Sequence, residues 1–225
     1  DGLMPGTYYV CEAYKDPYIQ SYPTSGPMYD GRYCYEVVLA AGESETGIDF
    51  GNYKEVPFSS HKWEDTNGNG VEDQGEPRLS GWTIFLDKND NKELDEGETS
   101  TTTNSEGTYS FSLKPGTYSI CEEIPGDWVQ TYPYYQTDEL CHTETITSNQ
   151  TALSHSRYGF GNWQKSTISG YKYEDINGDG LKNDGNTPIE NWAFELQRYD
   201  GENWITVGST STSLIGYWEF NIEMP

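Results

Sequence analysis

The sequence predicts an all-β protein, antiparallel β-sandwich domains set in tandem, and three observations lead there. Apolar residues alternate with polar ones in short runs, as a strand with one buried face requires, while sustained helical periodicity is hard to find. Turn formers such as Asn67-Gly68, Lys114-Pro115-Gly116, Pro125-Gly126 and Asp200-Gly201 interrupt those runs at short intervals. The chain also repeats itself: Gly6-Thr7-Tyr8-Tyr9-Val10-Cys11-Glu12 returns 110 residues later as Gly116-Thr117-Tyr118-Ser119-Ile120-Cys121-Glu122. A self-similar chain points to a rod or fibre before it points to an enzyme.

The elements follow in that order. Residues 1–56 hold the first copy of the Gly6–Glu12 strand and the alternation of Ile48 with Phe50, and they match the C-terminal half of a unit. A complete unit spans 57–165. Its strands are read from Trp82, Ile84 and Leu86, from Tyr109, Phe111 and Leu113, and from Tyr118 and Ile120. Residues 166–225 match the N-terminal half of the next unit: Lys172-Tyr173-Glu174-Asp175 repeats Lys62-Trp63-Glu64-Asp65, and Trp192 repeats Trp82. Phe50-Gly51-Asn52-Tyr53 likewise returns as Phe160-Gly161-Asn162-Trp163, and Pro5, Pro115 and Pro225 share one phase. A period of this length lies near the commonest domain size, so a complete unit can bury its own core. Each flanking piece lacks the strands that would close its sandwich, and neither is expected to be stable alone. Joining Ile222-Glu223-Met224-Pro225 to a copy of Met4-Pro5-Gly6-Thr7 would complete one sandwich per junction. Copies of the chain, or adjacent repeats, are therefore the expected head-to-tail partners, through a continuous polypeptide or strand complementation.

The formal net charge is −24, from 37 acidic and 13 basic residues, which repels nucleic-acid phosphates and anionic lipid and favours cations. Nucleic acid and direct membrane insertion are thus excluded as expectations, and no apolar run reaches the roughly 18 to 20 residues of a membrane helix. Aromatic residues make up 15% of the chain, too many for a disordered acidic segment. The four cysteines follow the repeat as Cys11 with Cys34 and Cys121 with Cys141, and no CxxC occurs. Local disulfides in an oxidising, extracellular setting are the favoured reading, each contributing on the order of 3 kcal/mol. Asn149-Gln150-Thr151 is a glycosylation acceptor triplet.

Two loops have the spacing of an EF-hand calcium loop. Asp65, Asn67, Asn69, Val71, Asp73 and Glu76 fill positions 1, 3, 5, 7, 9 and 12, with Gly70 at position 6. Alternate side chains of a tightly wound loop converge on one point, Val71 offers its carbonyl, and Glu76 closes the sphere with two oxygens. A second match runs through Asp87, Asn89, Asn91, Glu93, Asp95 and Glu98, with Lys92 in place of the glycine. An Asx-rich turn would explain Asn-Gly but not carboxylates at both the ninth and twelfth positions. Asp175, Asn177, Asp179, Leu181 and Asn183 repeat the first loop around Gly180, but Asn186 stands at position 12. That site is expected to be weaker or to borrow Asp184, while the counterpart of the second loop, near 197–208, has lost the motif. Calcium is the expected cofactor, stapling strand connections in the absence of flanking helices.

Lys62-Trp63-Glu64-Asp65-Thr66-Asn67-Gly68-Asn69-Gly70, Gly75-Glu76-Pro77 leading to Leu79-Ser80-Gly81-Trp82-Thr83-Ile84, Glu106-Gly107-Thr108-Tyr109-Ser110-Phe111, and Phe160-Gly161-Asn162 resemble the B-type domains of serine-aspartate repeat surface proteins. These are SdrD B-like domains, related to the Cna-B repeats of collagen adhesins. The resemblance implies a prealbumin-like Greek-key sandwich and a calcium-stiffened stalk or filament on a microbial cell surface, with any adhesive head elsewhere. It also implies a chemistry, because some relatives join a strand lysine to an asparagine in a spontaneous isopeptide bond assisted by a buried acid. Lys62, Asn162 and Glu122 are the matching residues. Burial would leave the amine neutral, while a protonated carboxyl polarises the amide.

Catalysis finds little support in the sequence. His61, His142 and His155 are not repeated, lack metal-ligand spacing and read as surface-loop residues, and no nucleophile elbow, zinc motif or phosphate-cradling loop occurs. The chain is read as a non-enzyme. The competing function is a carbohydrate- or protein-binding adhesin module, in which Tyr132, Tyr134, Tyr135 and Trp204 would stack on a glycan or cell-surface ligand.

Overall fold

The computed structural model describes residues 2–133, 139–154, 156–183, 185 and 187–222, and the backbone alone of Ser156 and Ile222. Tyr134, Tyr135, His155, Asp184, Asn186 and the terminal Glu223-Met224-Pro225 lie outside them. Among the described residues the regular structure is nearly all strand. The first segment carries β1 (Gly6–Val10), β2 (Ile19–Tyr22), β3 (Met28–Tyr29), β4 (Arg32–Tyr33), β5 (Tyr35–Leu39) and β6 (Gly51–Tyr53). The central segment carries β7 (Val56–Glu64), β8 (Thr83–Asp87), β9 (Thr99–Thr102), β10 (Thr108–Leu113), β11 (Gly116–Glu122), β12 (Trp128–Tyr132), β13 (His142–Ile146), β14 (Leu153–Ser154) and β15 (Phe160–Gln164). The third carries β16 (Ser166–Tyr171), β17 (Ala193–Tyr199), β18 (Trp204–Ser211) and β19 (Tyr217–Ile222).

The central strands build two sheets, β10-β7-β15-β12 with β14 beside β7, and β13-β11-β8-β9. Period-two alternation decides what lies between them. Val56, Phe58, Tyr109, Phe111, Leu113 and Phe160 come from one sheet and Ile84, Leu86, Ile120 and Ile146 from the other, all in one buried cluster. The pairing of β7 with β15 is parallel, with Phe160 opposite Lys62 and Asn162 opposite Glu64. The first and last strands of the unit thus lie side by side, which sets the site described below.

The flanking segments reproduce parts of this plan. β1 pairs with β5 as β11 pairs with β13. β2 and β6 pair with Gln20 opposite Asn52 and a bulge before Tyr22, and β12 and β15 pair with Gln130 opposite Asn162 and a bulge before Tyr132. An Asp30-Gly31 turn, both residues with positive φ, closes the extra β3–β4 hairpin in the first segment. In the third segment β16 pairs with β19 as β7 pairs with β10. The uniform offset slips there by one residue. Lys62 N–H donates to Gly107 O at 2.8 Å, and its counterpart Lys172 N–H donates to Gly216 O at 2.7 Å, one position short of the repeat.

Equivalent positions differ sharply in exposure. Phe58 is 0% exposed and its counterpart Ile168 44%; Trp82 8% and Trp192 50%; Ile120 0% and Val10 39%. The same face is a core in the central segment and a surface in its neighbours.

Candidate functional site

Lys62, Glu122 and Asn162 meet in the interior of the central sandwich, all three buried. Alternation along β7 turns Lys62 inward beside Phe58 and Ser60, the parallel register of β15 brings Asn162 to it, and β11 supplies Glu122 from the opposite sheet. Lys62 Nζ donates to Asn162 Oδ1 in a very short contact and to Phe160 O at 3.2 Å, and it lies 3.2 Å from Glu122 Oε2. Trp82 closes the site, with Lys62 Nζ 4.2 Å from its ring centroid. Sequence reasoning missed this last role, and the recurrence of Trp82 as Trp192 was the available signal.

Burial governs the electrostatics. Desolvation lowers the Lys62 ammonium to about 8, against the opposing pull of Glu122. Desolvation raises the Glu122 carboxyl to about 7, with Lys62 and then Asn162 pulling it back. With the two values drawn this close together, moving one proton from the Lys62 ammonium to the Glu122 carboxylate near neutral pH gives a neutral amine and a protonated acid beside a primary amide. That is the arrangement aminolysis of an amide requires.

The three loops are held by similar side-chain-to-backbone contacts over their described residues. In the first, Asp65 is buried and accepts from Asn69 N at 3.0 Å and Gly70 N at 2.7 Å. Asn67 and Asn69 accept the backbone N–H groups of Asn69 and Val71 at 3.0 and 2.7 Å, and both side-chain amides donate to Asp73 Oδ2 at 2.8 Å. Those amides hold the Asp73 carboxyl below its usual range. Glu76 folds back across the loop, accepting from Thr66 N at 2.9 Å and Asp73 N at 3.0 Å.

The second loop repeats most of these contacts. Asp87 accepts from Lys92 N at 2.9 Å, Asn91 from Glu93 N at 3.0 Å, Asp95 from the amides of Asn89 and Asn91, and Glu98 from Lys88 N and Asp95 N. Lys92 takes φ 65, in the left-handed region that Gly70 occupies at φ 73, so the missing glycine costs about 1 kcal/mol without changing the turn. In the third loop Asp175 accepts from Gly180 N at 2.9 Å, and Asp179 from the amides of Asn177 and Asn183 and from Leu181 N. The first two donor sets fit calcium: every ligand position offers oxygen, and the acidic residues at positions 1, 9 and 12 bring three charges in each loop.

Both expected disulfides are present, Cys11–Cys34 and Cys121–Cys141. Asn149 is exposed in a turn, accepting from Thr147 Oγ1 at 2.6 Å. Two expectations change. His61 and His142 are not loop residues: His61 sits on β7 against Glu72 at 2.8 Å, and His142 opens β13, packed on Phe160 with its Nε2 2.7 Å from Gly159 O. Tyr132 is packed against Trp63 and His142, so it is no free stacking platform.

The flanking segments hold the site in two parts. Asn52 Nδ2 donates to Glu12 Oε1 at 3.1 Å in the first segment, at the positions of Asn162 and Glu122. In the third, Lys172 Nζ lies 4.7 Å from the Trp192 ring centroid, as Lys62 lies over Trp82.

Residues 60–164 match the SdrD B-like domain family. The chain is similar to serine-aspartate repeat-containing protein C of Staphylococcus aureus. For strain N315 the identity is 27% over 220 residues, covering 89% of this chain and 22% of that protein. For strain Newman it is 29% over 180 residues, covering 76% and 18%. Solved structures similar to it include the Bacillus anthracis TIE protein (17% identity, TM-score 0.38, 76% of this chain and 27% of that one) and a streptococcal ancillary pilin (14%, 0.37, 97% and 63%). The chain spans less than a quarter of the length of these curated relatives.

Proposed function

With residues 60–164 forming an SdrD B-like domain, we propose that the chain is a structural repeat segment of a calcium-stabilised stalk or filament, extracellular or on a microbial cell surface. The observation that carries this reading is the contrast in exposure. Ile168, Trp192 and Val10 present to solvent the faces that Phe58, Trp82 and Ile120 bury in the central unit. A groove of about 570 Å³ lined by Tyr8, Val10, Val37, Leu39 and Ile48 opens over the first segment. Uncovered apolar faces of this kind call for a partner. A neighbouring repeat carries the strands that fit, with units divided at 1–56, 57–165 and 166–225.

Two devices stiffen such a rod. Calcium held by the loops at 65–76 and 87–98 would fasten the connections flanking β8. A bond between Lys62 and Asn162 would fasten β7 to β15. In that step Lys62 Nζ attacks Asn162 Cγ and the Cγ–Nδ2 bond breaks. The protonated Glu122 delivers its proton to Nδ2 and takes up the one leaving Nζ, and one ammonia departs. The bond would carry tension between the first and last strands of the unit.

Sedimentation velocity in calcium across a range of concentrations tests the assembly. A broad distribution that shifts upward with concentration is expected, and a single monomer peak throughout would refute it. Exposed Trp204, packed on Tyr199 at 5.1 Å, favours the alternative of a glycan-binding module. A glycan array decides, since a stalk alone binds nothing above background.

A further inference from the structure

We propose that the Cys121–Cys141 disulfide is a positioning element of the loop at 87–98, holding Asp87 for calcium, so that the affinity of that loop alone depends on the disulfide being closed. This rests on the calcium reading above and adds to it a thiol-sensitive control that the loop at 65–76 does not share.

The sheet sets the disulfide against the loop. β8 ends at Asp87, the first residue of the loop, and β11 runs antiparallel beside it with Cys121 opposite Phe85 and Ser119 opposite Asp87. Ile84, Leu86 and Ile120 fill the core, so by alternation Phe85, Asp87 and Cys121 lie on the other face of that sheet. That face is nonetheless dry, with Phe85 0%, Cys121 1% and Asp87 7% exposed. The disulfide ties Cys141, the residue before β13, onto it. Cys121 Sγ stands 3.8 Å from Asp87 Oδ2, and a carboxylate oxygen of Asp87 and the two sulfurs all lie within 4.8 Å of one another. Asp65, which heads the other loop, is buried and fixed differently, its own N–H donating to Asn162 O at 2.8 Å.

A closed disulfide serves Asp87 in two ways. Its sulfurs carry no hydrogen, so the neighbouring Oδ2, which accepts Lys92 N–H at 2.9 Å, keeps its remaining lone pairs for the ion. It also pins the chain around a buried carboxylate, and groups that orient a metal ligand in this way are worth roughly ten- to hundredfold in affinity. Reduction removes both effects. A thiolate of a small dithiol attacks Cys141 Sγ, the half-buried sulfur, and the S–S bond breaks towards Cys121 Sγ. The second thiolate of the reagent then releases Cys141 and closes the reagent's own disulfide, while both protein sulfurs take up protons. The Cys121 thiol, buried beside Asp87, stays protonated and donates to Oδ2 in competition with calcium. Linkage makes the effect reciprocal, so calcium held at 87–98 makes the disulfide harder to reduce by the same factor.

The test follows hydrogen exchange of the full chain across a calcium titration, in which residues 65–76 and 87–98 report their loops separately. It compares the oxidised chain, the chain reduced with dithiothreitol, and a variant carrying Cys121→Ala and Cys141→Ala, which keeps Cys11–Cys34. The calcium concentration that protects 87–98 should rise about tenfold or more on reduction and in the variant, while that for 65–76 moves by less than about twofold. In dithiothreitol buffers, saturating calcium should shift the reduction equilibrium of Cys121–Cys141 by the same factor, read by alkylation and peptide mass. Protection of 87–98 at one calcium concentration whether the disulfide is open or closed would overturn the inference and leave the calcium reading standing. Equal loss at both loops would make the disulfide a general clamp on the fold and overturn its selective role. Calcium that protects only 65–76 in the oxidised chain overturns the inference alone, whereas calcium that protects neither loop overturns the calcium reading as well.

Discussion

Asn162→Ala isolates the contribution of the bond within the central unit. Lys62 and Asn162 are separated by 100 residues, and closing a loop of that length by a cross-link constrains the unfolded chain by about 4.7 kcal/mol. For a domain of roughly 100 residues each kcal/mol moves the melting temperature by about 4 °C or more. The variant should therefore melt at least about 20 °C below the wild type. The assay pairs intact mass under denaturing, reducing conditions with thermal unfolding followed by circular dichroism. The wild type should weigh one ammonia less than its sequence, and the variant should show no loss. A wild type at full sequence mass would refute the bond. A variant melting within about 5 °C of a bonded wild type would refute the magnitude.

Chelation should lower the melting temperature and speed hydrogen exchange across residues 65–98, since a ligand at a hundredfold over its dissociation constant stabilises by about 2.7 kcal/mol. Glu76→Gln should reproduce much of that loss at the first loop, and an unchanged melting curve in excess chelator would remove calcium from the account. In the Asn162→Ala background the unbonded pair should make stability depend on pH. Glu122, raised in the folded state, contributes stability that is complete below its unfolded value and lost as pH rises towards about 7. Lys62, lowered, contributes stability that is complete above its unfolded value and lost as pH falls towards about 8. Relative to a variant also carrying Lys62→Met and Glu122→Gln, stability should pass through a minimum between those values, and a flat difference would contradict the burial argument. Gly161→Ala should cost roughly 1–3 kcal/mol in urea unfolding, because its Cβ would stand 2.6 Å from Trp63 Cζ2.

What the sequence made legible was whatever depends on local spacing. Alternation exposed β8, β10 and β11 because a strand repeats every two residues, and the loops at 65–76 and 87–98 were visible because their ligands are held by one turn of chain. The pairing of Cys121 with Cys141 followed from phase within the repeat. Contacts between distant strands were less accessible. That Trp82 covers Lys62, or that Tyr132 and His142 pack together, depends on sheets that face each other only after folding. The Lys62–Glu122–Asn162 meeting came from family resemblance, since the parallel register of β7 with β15 leaves no local pattern. Lys92 illustrates the converse: its left-handed backbone is imposed by the Asp87 carboxylate gathering the N–H groups of Asn89, Asp90 and Lys92.

Cryo-electron microscopy of the calcium-loaded chain at high concentration would settle how the flanking segments are covered. Single-file filaments are expected, in which β16 of one copy runs parallel to β6 of the next with Lys172 opposite Phe50 and with Ile168 and Val10 buried at the junction. Junctions between repeats in which Ile168 and Val10 still face solvent would contradict the account.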